Sequence, residues 1–248
     1  MKRCGLRVLE RIRQLLRPNR GNVVIFVKNG KERVARRWFN RIHGLKISMT
    51  GQNCTVRLEL PIDAVASKLV LHGWNTFVKI GSGALLKHAN IVCEGGNRSS
   101  IAIGRNVHAY YALTITVANS SCRIGNNCMI ASNVILRATD CHPVFYRKTG
   151  AIANFQKRHL EVGDHCWLCS CAILTKNAKI PNDTIVGSMA VVTREFSEEH
   201  TILAGNPATV VKTGVTWEES NDYFWRPEWV DGKPSPLPQK KLASKVGN

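Results

Sequence analysis

A short polar motif near the middle of the chain carries the residues best suited to acid–base chemistry: Asp140, Cys141, His142 and Pro143. A histidine with a pKa of about 6.5 can take a proton from a weak nucleophile at neutral pH, and a positioned base contributes roughly 10²–10⁴ in rate. Pro143 restricts the backbone of His142. His142 is therefore a candidate general base. Asp140 either orients His142 or contacts a substrate, and a simple turn role for it stays open.

The cysteines raise the question of metal binding. Cys166 and Cys169 form a CxxC pair, but a zinc site needs a second pair at suitable spacing, and the remaining cysteines do not supply one. The chain has nine cysteines, an odd count, and its start does not resemble a secretory signal. We therefore expect reduced thiols and no metal.

The elements that would position these residues are indicated by a repeat with a period of six. From Val162 the chain reads VGDHCW LCSCAI LTKNAK IPNDTI VGSMAV VTREFS. The first residue of every block is aliphatic, and the fifth residue of the first five blocks is small, Cys166 among them. A helix repeats its apolar face every 3.6 residues and a strand every 2, so neither explains this period. Six residues fit one strand plus a turn, which would form one side of a triangular coil with a continuous aliphatic core.

Weaker traces of the repeat extend upstream, and irregular terminal coils are expected of a solenoid. They fall at Ile80, Leu86, Val92, Ile103, Ile124, Ile130 and Leu136.

The repeat fails between Leu136 and Val162, just where His142 lies. Loops that project from rigid scaffolds often carry function, so we predict a protruding loop over residues 141–160. The predicted organisation is a basic amphipathic segment at residues 1–20, a solenoid domain at residues 21–213 and a C-terminal tail at residues 214–248. Within the first segment, residues 2–17 are predicted to form a short basic helix that ends at Pro18.

The charge points to an anionic partner. Thirty-five Lys and Arg against seventeen Asp and Glu give a formal net charge of +18, concentrated towards both ends of the chain. The basic N-terminal helix either caps the open coil or contacts a membrane surface. No window is long and apolar enough for a transmembrane helix. Aromatic residues do not alternate with the basic runs, so we expect no nucleic acid partner. We predict a cytoplasmic location, with the inner-membrane surface left open.

Taken together, three features resemble the hexapeptide-repeat acetyltransferases, in particular those that O-acetylate sugars of capsules and lipopolysaccharides. They are DCHP at 140–143, VGDHCW at 162–167 ahead of the intact hexads, and AGNPA at 204–208. The resemblance covers roughly residues 100–213. It implies an all-β fold, a left-handed parallel β-helix with a protruding loop and a C-terminal appendage. It also implies a homotrimer with active sites between subunits, acetyl-CoA as co-substrate and direct transfer to a sugar hydroxyl.

The same resemblance implies roles for further residues. His142 would be the catalytic base with Asp140 beside it. Trp167 would wall the site near acetyl-CoA, and Cys169 stands where the family usually has a glycine, which puts the local cofactor channel in question. The residues implied or predicted to bind acetyl-CoA are Trp167, Cys169, Ser188, Ala190, Arg194, Ala204, Gly205 and Lys212. The acceptor would be bound by Tyr111, Lys148, Arg158 and His165.

Several alternatives stay open at the level of sequence. The acceptor is an anionic surface polysaccharide, most simply a capsule, or else a small molecule or nucleotide sugar. A γ-type carbonic anhydrase uses the same solenoid with three zinc-binding histidines, for which His142, His159 and His165 are the candidates. The histidine pair five residues apart that such enzymes use is replaced here by a spacing of six, which disfavours this reading.

Overall fold

The computed structural model describes residues 21–35, 41–42, 44–154 and 158–220, with the backbone alone at residues 41, 42 and 158. Within these ranges the chain contains strands and turns, and no helix there could cross a membrane. The predicted N-terminal helix over residues 2–17 and the tail beyond residue 220 lie outside them. The described residues up to Thr216 belong to one compact unit.

Three sheets form the sides of a solenoid of about seven coils, and each is parallel except for one antiparallel strand at one end. Sheet 1 contains, in spatial order, β2 (Lys31–Val34), β1 (Val23–Lys28), β5 (Thr55–Glu59), β8 (Phe77–Ile80), β11 (Ser100–Ile103), β14 (Ser120–Ile124), β17 (Arg158–Val162) and β20 (Lys179–Ile180). Sheet 2 contains β24 (Ala208–Thr213), β23 (Thr201–Gly205), β21 (Ile185–Val186), β18 (Trp167–Leu168), β15 (Met129–Ser132), β12 (His108–Tyr111), β9 (Ala84–Lys87) and β6 (Ile62–Val65). Sheet 3 contains β22 (Val191–Val192), β19 (Ile173–Leu174), β16 (Ile135–Arg137), β13 (Thr114–Val117), β10 (Asn90–Cys93), β7 (Ser67–Leu71), β4 (Leu45–Met49) and β3 (Arg41–Ile42).

The core confirms the six-residue repeat in the last coils. The first residue of each block and the small fifth residue point inward, and each is at most 1% exposed: Val162, Cys166, Leu168, Ala172, Leu174, Ala178, Ile180, Thr184, Val186, Ala190 and Val192. One inward aliphatic column on each sheet therefore removes apolar surface from water along the whole axis, which stabilises the stack.

Coil length explains why the repeat fades upstream. In sheet 1, Ile80 pairs with Ile103 after 23 residues, and Ile103 pairs with Ile124 after 21. Val162 pairs with Ile180 after 18 residues, which is three blocks of six. The upstream strands are longer and put two alternate residues inward instead of one. The prediction of an inward Val92 was therefore wrong.

In strand β10 the inward residues are Ile91 and Cys93, both fully buried, and Val92 faces outward. The shift follows from the four-residue strand, because neighbouring side chains alternate between the two faces.

A column of glycines marks the corner between sheets 1 and 2. A Cβ atom on Gly104 would lie 2.3 Å from the carbonyl oxygen of Gly125, and one on Gly81 would lie 2.5 Å from that of Gly104. Real Cβ contacts are not this short, so the coils can approach at this corner only without side chains.

The outer face of sheet 1 is charged. Lys79 pairs with Glu59 (2.9 Å) and Arg123 with Glu161 (2.7 Å). Partial burial alone would raise the pKa of Glu161, but the hydrogen bond and charge of Arg123, together with Lys179, outweigh it and the pKa is lowered. The paired charges make exposure of this face to water favourable.

Candidate functional site

The loop that carries His142 leaves the solenoid at the corner between sheets 3 and 1. It connects β16 to β17, and β17 begins at Arg158, so the loop ends before the predicted limit of residue 160. Farther out, Phe145 pairs with Ile152 in an antiparallel bridge. His142 is exposed near the start of the loop. A proton acceptor at this place is accessible to a substrate from outside the solenoid.

Asp140 holds the start of the loop. Its Oδ2 accepts a hydrogen bond from Lys176 Nζ (2.5 Å) and another from Asn154 Nδ2 (2.7 Å). Lys176 lies on the next coil, 36 residues away in sequence. In this structure the Asp140 carboxylate therefore ties the loop to the solenoid wall and to the loop's own far end.

Asn154 closes the loop around His142. Its Nδ2 also donates to the main-chain oxygen of His142 (2.9 Å), and its Oδ1 accepts from the main-chain nitrogen of Val144 (2.9 Å). The His142 nitrogen in turn donates to the Asp140 carbonyl oxygen (2.7 Å). Asn154 is 8% exposed, although the residues from 141 to 150 are exposed. The backbone of His142 is thus held from both sides.

Neither Asn154 nor Lys176 was predicted from the sequence as part of the site. Asn154 lies in a segment without periodicity, and Lys176 occupies an ordinary outward position of a hexad. One feature of the sequence could have pointed to Lys176 as part of the site. It follows a sheet 3 strand that lies one coil below the break in the repeat.

The outer face of sheet 2 carries Trp167 within an apolar column. Met129, Trp167, Ile185 and Ile202 are register partners on successive strands. Met129, Trp167 and Ile202 are half-buried, and Ile185 is 9% exposed. Beside this column runs a trough of small side chains, defined here as the small-residue trough: Ala131, Cys169, Gly187 and Ala204. A long, thin chain can lie in such a trough against the column.

Cys169 is half-buried in the small-residue trough. Burial raises the pKa of its thiol to about 11, so the group is protonated at neutral pH. Cys166, three residues earlier, is fully buried in the core. The two thiols point to opposite sides of the coil wall and do not form a metal-binding pair.

The remaining residues predicted to bind acetyl-CoA lie in the last coils, some on the final hairpin and the others around the turns before it. Ala204, Gly205 and Lys212 belong to the β23–β24 hairpin at the edge of sheet 2. Ser188 is exposed at the turn after β21, and the Ala190 side chain is buried, which leaves only its backbone for contact. Arg194 follows the last strand of sheet 3, and its guanidinium lies 4.9 Å from the ring centroid of Phe196.

The residues predicted for the acceptor are also separated. Tyr111 is 50% exposed at the corner between sheets 2 and 3, and Lys148 is exposed in the loop. The backbone of Arg158 lies in β17. His165 occupies a corner with φ of 54°, and its Nδ1 lies 2.6 Å from Asp183 Oδ1, which gives it a structural role as well.

The three histidines of the zinc alternative do not converge. His159 Nδ1 lies 2.6 Å from Ser121 Oγ on sheet 1, while His165 contacts Asp183 at another corner. In the part of the chain that the structure describes, no three His, Cys, Asp or Glu side chains form a group that could hold a metal ion.

His142 and Trp167 emerge on different sides of one chain. In a three-sided coil, the corner between sheets 3 and 1 lies opposite the outer face of sheet 2. The loop start is fixed at that corner through Lys176, whereas Trp167 is on sheet 2. In one copy of the chain, the start of the His142 loop and Trp167 therefore face different sides of the solenoid.

No family model matches the chain. Two polysialic acid O-acetyltransferases match it in sequence. The one from Escherichia coli O1:K1 / APEC is 25% identical over 145 residues, 58% of this chain and 46% of that protein. The one from Neisseria meningitidis is 28% identical over 190 residues, 68% of this chain and 88% of that protein. The chain is thus similar in sequence to two O-acetyltransferases.

A solved structure of this homologous group shows the same fold. The polySia-specific acetyltransferase NeuO superposes with a TM-score of 0.67 at 22% identity, over 81% of this chain and 86% of that one. The predicted left-handed parallel β-helix is thereby confirmed. The chain spans under half of the length of the Escherichia coli relative.

Proposed function

We propose that this homologue of the hexapeptide-repeat acetyltransferases transfers an acetyl group from acetyl-CoA to a hydroxyl of an anionic capsular polysaccharide. The observation that carries the proposal is the exposed His142, whose backbone is held by Asn154 at the break of the solenoid. The names of two relatives support O-acetylation and make polysialic acid the first acceptor to test. The net charge of +18 suits a polyanionic acceptor.

The proposed chemistry is a direct transfer. An imidazole nitrogen of His142 takes the proton of the acceptor hydroxyl while the oxygen attacks the thioester carbonyl. The tetrahedral intermediate collapses, the carbon–sulfur bond breaks, and the proton on His142 passes to the leaving thiolate of CoA. Cys169 is a poor candidate for a covalent intermediate, because burial raises its pKa to about 11 and only a thiolate is a good nucleophile.

The small-residue trough would take the pantetheine arm of acetyl-CoA, with Trp167 as its wall. Ser188, Ala190, Ala204 and Gly205 would contribute backbone contacts. Arg194 and Lys212 would supply cations for the CoA phosphates. Because these two lie on different sheets of one chain, copies of the chain would share this task, as they would share His142 and Trp167.

We also propose that the working form is a homotrimer in the cytoplasm. Its support is the placement of His142 and Trp167 on different sides of one coil. Mixed trimers provide the test: an equal mixture of His142→Ala and Trp167→Ala chains should form intact sites at about one quarter of its interfaces. Mixed samples no more active than the separate variants would show that one chain holds the whole site.

The decisive experiment measures CoA release from acetyl-CoA with polysialic acid, beside a panel of other capsular polysaccharides. His142→Ala should lower kcat by roughly 10²–10⁴, the contribution of a general base. His72→Ala, at an exposed histidine of an upstream coil, is the matched control and should retain activity. Undiminished transfer by His142→Ala would overturn the assignment. Acceptor turnover should also fall with added salt if the charge steers the polyanion.

A further inference from the structure

Two exposed tyrosines on an upstream coil are each packed against a basic side chain. The Lys87 ammonium lies 5.7 Å from the ring centroid of Tyr110. The rings of His88 and Tyr111 have centroids 4.8 Å apart at an interplanar angle of 46°. The tyrosines are 40% and 50% exposed. We call these four residues the tyrosine–lysine cluster.

Lys87 differs from the lysines of sheet 1 in its surroundings. Lys79 is paired with Glu59, whereas Lys87 forms no salt bridge among the residues that the structure describes. Its register partner on the coil above is Val65, which carries no charge. The positive charge of Lys87 is therefore available to a carboxylate from outside the chain.

The tyrosine–lysine cluster lies at the upper end of the small-residue trough. Tyr110 projects from β12, and the next outward residue on the coil below is Ala131, where the trough begins. Strand β18, which holds Trp167, is two strands below β12 in sheet 2. Neighbouring strands are about 4.8 Å apart, so the cluster lies roughly 10 Å from Trp167 along the axis of the solenoid. This distance is about the length of two sugar units or less.

We propose that the tyrosine–lysine cluster is an acceptor subsite for a carboxylate-bearing sugar residue next to the one that is acetylated. The ring of Tyr110 or Tyr111 provides a flat surface for the apolar face of a sugar ring, and Lys87 pairs with the sugar carboxylate. The inference rests on the proposed function, because the trough places the acetyl donor below the cluster. It explains how a polyanion is recognised by a particular contact in addition to overall charge.

The test compares steady-state kinetics on polysialic acid and on polysialic acid whose carboxylates have been reduced to alcohols. Lys87→Gln should raise KM for the charged polymer about fivefold, with kcat within about twofold, because one exposed charge pair is lost. The same change should alter KM for the reduced polymer much less. Tyr110→Ala should raise KM for both polymers about fivefold to tenfold, and Tyr110→Phe should restore it, because the ring is kept.

Lys68→Gln is the matched control, since it removes one exposed charge on sheet 3. Equal effects of Lys87→Gln and Lys68→Gln would overturn the subsite and leave only general electrostatic attraction. Tyr110→Phe as impaired as Tyr110→Ala would likewise overturn the stacking contact. Melting temperatures close to that of the wild type establish that the variants fold. Failure of the proposed function would show in the wild-type enzyme itself, as a lack of transfer to polysialic acid, and would remove the subsite with it.

Discussion

Replacing Asn154 with alanine should lower kcat strongly while leaving the solenoid intact. Within the described residues, the side chain hydrogen-bonds to the Asp140 carboxylate and to the main chain at His142 and Val144. A hydrogen bond to a charged group contributes about 1.5–3 kcal/mol and a neutral one about 0.5–1.5 kcal/mol. Water replaces part of this in an exposed loop, so the ordering of the loop should weaken by about 2–3 kcal/mol.

This loss acts on the position of His142 and hardly on global stability. All three partners belong to the loop itself, and the inward columns of the core do not contact it through these bonds. If the loop must be ordered in the transition state, about 2–3 kcal/mol corresponds to a kcat roughly 30- to 150-fold lower. The KM for acetyl-CoA should change little, because the proposed donor contacts lie on sheet 2.

The measurement is CoA release at saturating acceptor, together with a thermal unfolding curve. Thr149→Ala is the control, because the Thr149 hydroxyl accepts a hydrogen bond from the Ala151 nitrogen (3.3 Å) in the exposed part of the same loop. A kcat within twofold of the wild type for Asn154→Ala would refute the reasoning. A fall of many degrees in Tm would also refute it, because Asn154 would then support the fold as a whole.

Three further changes test other parts of the structure. Lys176→Met should lower kcat about tenfold, because it removes the ion pair with Asp140. Lys176→Arg should retain most of the wild-type kcat, because it keeps the positive charge. Equal losses of kcat in the two variants would count against the ion pair. Gly104→Ala should destabilise the protein by about 3 kcal/mol in denaturant unfolding, because the added methyl group overpacks the corner. Gly95→Ala should not change stability, because Gly95 has open space around it. Similar stability of the two variants would contradict the role of the glycine column. Because the pKa of Glu161 is lowered from 4.5 on folding, its stabilising contribution is present above that pH and is lost as the pH falls through the folded value. Glu161→Gln should therefore show a shallower loss of Tm below about pH 4.5 than the wild type, and parallel curves would contradict the assignment.

The sequence predicted the solenoid best where a coil is three blocks of six. From Val162 onward each strand has a single inward aliphatic residue, so the period is visible without any structure. In the longer coils upstream the strands alternate over four residues, and the inward pair Ile91 and Cys93 leaves Val92 outside. A period of six cannot describe coils of 21 to 23 residues, which is why this position was predicted wrongly.

From the sequence, the site could be predicted only as the place where the six-residue repeat is interrupted. The break marks the loop and His142, because loss of periodicity is a property of the sequence alone. The contacts that fix the loop cannot be seen in the sequence. Lys176 and Asp140 are 36 residues apart and come into contact only when the coils stack. A lysine at an outward hexad position has the same sequence signature whether it is solvated or paired.

In the proposed homotrimer, the different chemistry of the outer faces of the solenoid would favour a site shared between copies. Sheet 1 places glutamate, arginine and lysine side chains in contact with one another, as in the pair Arg123–Glu161, and such a face remains favourable in water. The outer face of sheet 2 instead aligns Met129, Trp167, Ile185 and Ile202 beside a trough of small side chains. Apolar columns of this kind gain free energy when another surface covers them. A second copy that covers sheet 2 with its loop corner would bury this column and bring its own His142 towards Trp167, so the same contact would stabilise the assembly and complete the site.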